Sequence, residues 1–149
     1  MEIFEYLKVI INENIFDLIV INLPIFDIIG HSGNFRAAIS VIESFDQILN
    51  NLINIFLPKK YTLVLTADHG NIERMVNPST GEIDTAHTFN LVPFFVIDED
   101  FKRSRTEAEL KKIKKTPGGS LSNVAPTILE LMGLEIPKEF NAKSLLGYL

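Results

Sequence analysis

Apolar side chains recur along the chain in two rhythms, one of three and four residues and one of short unbroken runs. Ile3, Phe4, Leu7, Ile10 and Ile11 fall on one helical face, so residues 2–12 are predicted to form an amphipathic helix. Residues 17–23 (DLIVINL) form a nearly continuous apolar run rich in β-branched side chains, the signature of a buried strand in a parallel sheet. Residues 24–34 (PIFDIIGHSGN) mix turn formers, two glycines and polar side chains, and are expected to be a loop after that strand. The clearest periodicity comes next. Phe35, Ala38, Ile39, Ile42, Phe45, Leu49, Leu52, Ile53 and Phe56 repeat at helical steps over about six turns. Asn34 is placed to cap this helix and Pro58 to stop it, and its apolar stripe is expected to pack against a sheet.

Two more buried-strand patterns follow, YTLVLTA at 61–67 and VPFFVI at 92–97. The polar stretch between them carries a turn-like Asn77-Pro78-Ser79-Thr80-Gly81. Residues 123–133 (NVAPTILELMG) read as a helix capped by Asn123, with Pro126 in the first turn and Gly133 at the end. No repeat interrupts this order, which predicts an α/β fold with a mainly parallel sheet flanked by helices. Ligands of such folds bind beyond the carboxyl ends of the strands.

Composition narrows the picture. A chain of 149 residues with 46% hydrophobic side chains suits one domain with a real core and excludes a disordered chain. The absence of cysteine excludes disulfide scaffolds and thiolate metal sites and fits a reducing compartment. A net charge of −5 argues against a nucleic-acid partner. The most apolar stretch, 16–30, is too short for a bilayer and broken by Asp17, Asn22, Pro24 and Asp27. With no secretory signal visible, the expectation is a cytoplasmic protein without a membrane partner. Residues 102–115 hold seven of the fourteen Lys and Arg residues, a run read as a solvated helix face, with Glu107 and Glu109 partly offsetting its charge.

The three histidines fall in the segments around the expected strand ends. Asp27-Ile28-Ile29-Gly30-His31 follows the first expected strand, Asp68-His69-Gly70-Asn71 the second, and Thr85-Ala86-His87-Thr88 precedes the third. Carboxylate oxygen with imidazole nitrogen suits Mn²⁺, Zn²⁺ or iron. Spacing alone leaves open both a metal site and ordinary loop histidines.

The motifs around these residues are more specific. TADHGNIERMVNPSTGEIDTAHTFNLVPFFVI, DIIGHSGN at 27–34, LSNVAPTILELMGL at 121–134 and KSL at 143–145 together resemble the 2,3-bisphosphoglycerate-independent phosphoglycerate mutases of the alkaline phosphatase superfamily. The resemblance runs over nearly the whole chain. It implies an alkaline-phosphatase-like fold in which residues 1–149 form the C-terminal part of the phosphatase domain. It implies two divalent metal ions, Mn²⁺ foremost, with Mg²⁺, Co²⁺ or Zn²⁺ as alternatives. Asp27, His31 and His87 match the ligands of one ion, and Asp68 and His69 match two ligands of the other. The implied reaction interconverts 3-phosphoglycerate and 2-phosphoglycerate through a phosphoserine.

Departures from the family pattern are mild: Ser32 for Thr, Ile25-Phe26 for Asn-Pro, and Asn123 for Asp. The larger one is what has no counterpart here. No serine of this chain matches the family's nucleophile, and the inserted transferase domain that grips the substrate is unmatched. The chain by itself is therefore expected to be inactive, with a separate N-terminal chain as one partner that would complete it. The competing readings are another metal-dependent phosphatase or mutase of the superfamily, or a non-catalytic remnant that keeps the fold.

Overall fold

The computed structural model describes residues 2–148, which divide into two compact units. The first takes in the chain up to Leu63 and then His69–Val92; the second takes Val64–Asp68 and the chain from Pro93 onward.

The first unit begins with α1, Glu2–Glu13, as the periodicity predicts. Leu7 and Ile11, one turn apart on its inner face, are buried, while Tyr6 and Val9 are exposed. The long helix is present as Phe35–Phe56, preceded by a shorter helix at Ile25–Ser32; these are α3 and α2. Asn34 caps α3 as expected, its Oδ1 accepting the Ala37 N–H at 3.0 Å. Pro58 lies in the 3-10 turn Leu57–Lys59 that ends the helix. Leu52 and Phe56 of α3 join Leu7 and Ile11 in the core, with Ile19, Ile21 and Tyr61 packed around them. Each such burial contributes roughly 1.5–3 kcal/mol. The α3 stripe thus packs on α1 and on an extended segment, where a sheet was expected. Nearer its start it packs on α2, through an edge-on contact of Phe26 and Phe45 with ring centroids 5.0 Å apart.

Two expectations are corrected here. Residues 17–23 do not form a ladder-paired strand. The segment instead alternates, with Ile19 and Ile21 against the core while Leu18 and Val20 are 51% and 82% exposed. Its composition is apolar on both faces, yet only one face is covered. The segment expected as a loop, 24–34, is mostly α2. Pro24 stands at its start, and Gly33 ends it with φ 66° in the left-handed region that glycine adopts without a Cβ penalty.

The strands β1 (Leu63–Thr66) and β2 (Phe94–Ile97) pair in a two-stranded sheet, inside the two runs predicted as strands. Among the described residues this is the whole sheet, which is too small to make the mainly parallel sheet expected. The basic run contains α4, Glu107–Ile113, started by a reciprocal cap between Thr106 and Glu109 and carrying a Lys111–Glu107 ion pair of 2.8 Å. All of it is exposed, in keeping with a solvated helix. The last helix, α5, is Val124–Leu131, with Pro126 and Thr127 wholly buried and Gly133 beyond its end at φ 68°. Asn123 does not cap α5 with its side chain. It accepts from the Ser120 N–H at 2.7 Å and donates to the Lys143 carbonyl at 2.7 Å, tying the tail to the helix start. No helix among the described residues is long and apolar enough to cross a membrane.

Candidate metal centre

Asp27 and His31 stand four residues apart on α2, so their side chains share one helical face. His87 reaches them from the segment 69–92. This segment folds back on itself through backbone bridges, Gly70 with Thr88 and Val76 with Ile83. Its tip is the turn predicted at Asn77–Gly81, closed by the Gly81 N–H to the Asn77 carbonyl at 2.8 Å. An ion pair of 3.1 Å between Arg74 and Asp84 braces the two arms.

Three donor atoms converge. His31 Nε2 lies 3.3 Å and His87 Nε2 3.2 Å from Asp27 Oδ1, and the two Nε2 atoms are 3.2 Å apart. All three residues offer ligand atoms within 4.8 Å of one another. A first-row dication bound at about 2.0–2.2 Å would hold neighbouring donors about 2.8–3.6 Å apart, for angles between octahedral and tetrahedral. The observed triangle falls in that range. One hard oxygen and two imidazole nitrogens also make a donor set of the kind that Mn²⁺, Zn²⁺ and Co²⁺ accept. The residues present therefore fit a divalent ion.

His69 stands beside this triangle, its Nε2 4.0 Å from Asp27 Oδ1 and its ring stacked on that of His87 at 3.6 Å between centroids. Asp68, exposed after β1, belongs to the second unit and is not one of the three clustered residues. The structure thus gathers three of the five residues expected as ligands and sets a fourth next to them.

Asn71 is the neighbour that sequence reasoning passed over. It is 5% exposed and donates from Nδ2 to Asp27 Oδ1 at 2.7 Å. It lies against Gly30, where a Cβ would stand 2.0 Å from Asn71 Oδ1. Burial pushes the Asp27 carboxyl upward, but the Asn71 hydrogen bond and the charges of His31, His87 and His69 outweigh it. Asp27 is held below the ordinary carboxylate range. Glu73 is a second such residue. Its carboxylate accepts from the Asn71 N–H at 2.7 Å, from the Asn90 side chain at 2.8 Å and from the Thr88 hydroxyl. Burial again pushes upward, and the Thr88, Asn90 and backbone hydrogen bonds again prevail, so Glu73 also sits low. Both residues were visible only as letters of the Asn71-Ile72-Glu73 string.

Comparison with known proteins agrees with this chemistry. The metalloenzyme superfamily model matches residues 1–136. The chain is 42% identical over 135 residues to the 2,3-bisphosphoglycerate-independent phosphoglycerate mutase of Clostridium novyi (strain NT), covering 91% of this chain and 25% of that protein. It is 39% identical over 145 residues to the enzyme of the same name from Shewanella frigidimarina (strain NCIMB 400), covering 97% of this chain and 26% of that one. Among solved structures it resembles the Leishmania mexicana phosphoglycerate mutase determined at low cobalt concentration. That match has a TM-score of 0.76 and 26% identity over 97% of this chain and 27% of that chain. The chain spans about a quarter of the length of the curated relatives it matches.

Proposed function

Because the chain belongs to the metalloenzyme superfamily, we propose that it forms the metal-binding part of a cofactor-independent phosphoglycerate mutase, an isomerase of glycolysis and gluconeogenesis acting in the cytoplasm. The observation that carries this reading is the triangle of Asp27, His31 and His87 donor atoms, with edges of 3.2–3.3 Å. These three residues hold one divalent ion, Mn²⁺ foremost, with Mg²⁺, Co²⁺ or Zn²⁺ as alternatives. Asp68 and His69 contribute to a second. The fold is completed into the mainly parallel, alkaline-phosphatase-like sheet by the remaining length that the relatives have and this chain does not span.

When bound, two such ions neutralise the oxygens of a phosphoryl group in transfer and ease deprotonation of a serine nucleophile. The chain's own part is positional. Asp27 and His31 are fixed relative to each other by one turn of α2. His87 is presented by the bridged segment, and Asn71 fixes the carboxylate oxygen that faces both imidazoles. Supplying imidazole in place of further carboxylates limits the negative charge that a dianionic phosphoglycerate must approach. The serine nucleophile and the substrate clamp come from the remainder of the relatives' length, on the same polypeptide or on a separate N-terminal chain.

The test has two readouts. Calorimetric titration with Mn²⁺ should detect binding that H87A abolishes. An enolase-coupled assay should find no conversion of 3-phosphoglycerate by the 149-residue chain alone. Absent Mn²⁺ uptake at millimolar concentration would overturn the metal assignment. Turnover by the chain alone would overturn the division of labour.

A further inference from the structure

The hydrogen bonds around Glu73 have a pattern that the metal ligands by themselves do not require. Its two carboxylate oxygens face opposite arms of the bridged segment. Oε2 takes the Asn71 N–H at 2.7 Å on the arm that follows His69. Oε1 takes the Thr88 hydroxyl and the Asn90 side-chain amide, the latter at 2.8 Å, on the arm that follows His87. Thr88 is buried and is also the residue whose N–H donates to the Gly70 carbonyl at 2.7 Å. The Thr88 hydroxyl in turn accepts the Asn90 N–H at 3.3 Å. One carboxylate therefore collects three donors that lie within three residues after His69 or His87.

We propose that Glu73 is a positioning residue for the metal centre: it clamps the two arms so that His87 and the Asn71 amide converge on Asp27. This rests on the metal reading above. The geometry gives the reason. His87 is exposed and lies in a segment without helix or strand of its own, so its imidazole has no regular element to aim it. Its direction is set by the next residue, Thr88, whose backbone is held by Gly70 and whose hydroxyl is held by Glu73. On the other arm, Glu73 holds the backbone of Asn71, whose side chain orients Asp27. Both ends of the donor triangle thus meet at one carboxylate. A carboxylate can take all three hydrogens at once because both its oxygens accept, whereas an amide has a single accepting oxygen. Outer partners that orient ligands in this way typically change metal affinity 10–100-fold when removed.

The E73Q variant tests the clamp, because its amide turns a hydrogen toward at least one donor while leaving size and shape unchanged. Calorimetry should give a Mn²⁺ affinity lowered about 10–100-fold. In the metal-free protein, proton NMR should show the ring-current shifts of the stacked His69 and His87 rings moving toward random-coil positions. The double variant E73Q/N90D lets the new amide donate to a carboxylate on the second arm, and it should recover both readouts. N90D alone sets two carboxylates together and should impair both readouts as E73Q does. Unchanged affinity together with unchanged ring shifts in E73Q would overturn the proposal, and so would a double variant no better than E73Q. A wild-type protein that takes up no Mn²⁺ would count against the metal reading itself. The ring shifts of the metal-free variants would then decide the clamp separately.

Discussion

Asn71 reaches across 44 positions of sequence to place its amide 2.7 Å from Asp27 Oδ1, the oxygen that faces both His31 and His87. Since the amide occupies part of that oxygen's coordination space, it selects the lone pair left for a cation.

Replacing Asn71 with alanine should raise the pH at which Asp27 protonates. The folded value of Asp27 lies below its unfolded one, so its stabilising effect is complete above the unfolded carboxylate range. That effect drains away as pH falls through the depressed folded value. N71A removes the hydrogen bond that opposes burial, which narrows the gap and weakens the effect. Carbon-detected NMR titration of the Asp27 carboxyl in both proteins checks the direction.

Gly30 should tolerate no side chain. An added Cβ would meet Asn71 Oδ1 at 2.0 Å and Cγ at 2.7 Å, so G30A must push Asn71 off Asp27. The expected cost is about 1–3 kcal/mol, the range for overpacking. Urea unfolding measures the loss, and the Asp27 titration should rise as in N71A.

In the second unit, Thr127 is 0% exposed and its hydroxyl donates to the Asn123 carbonyl at 2.7 Å while accepting the Leu145 N–H at 2.9 Å. T127V keeps the shape but leaves a buried N–H unmatched, which costs about 1–3 kcal/mol. Hydrogen exchange at the Leu145 amide should accelerate accordingly. A serine at this position keeps the hydroxyl and should lose less of that protection.

The cap of α3 offers a control on a residue that bonds none of the clustered donors. N34A removes the acceptor of the Ala37 N–H and should cost about 1 kcal/mol without altering Mn²⁺ affinity. Parallel denaturation and calorimetry separate the two quantities.

Much of this was legible in the sequence where a regular period or a local cap carried the information. The α3 stripe, the Asn34 cap, both strands and α5 follow from spacing and end signals. The α2 helix was hidden because Asp27, Gly30, His31 and Ser32 look like loop residues, although Pro24 and Gly33 mark its ends. The open face of residues 18–22 could not be foreseen, since an apolar run reads the same whether one side or both are covered. For the site, the motifs led to Asp27, His31 and His87. They gave no role to Asn71 or Glu73, whose contacts join residues 44, 15 and 17 positions apart and leave no periodic trace.

The spacing of Asp27 and His31 on a single turn of α2 has a kinetic side. Two of the three clustered donors are already in register once that turn forms, on the timescale of helix growth. What remains is one encounter, the arrival of His87 from 56 residues further along the chain. The entropy lost in that closure rises only with the logarithm of the intervening length. Insertions at the Asn77–Gly81 tip should therefore slow assembly of the centre far less than any change that unwinds α2.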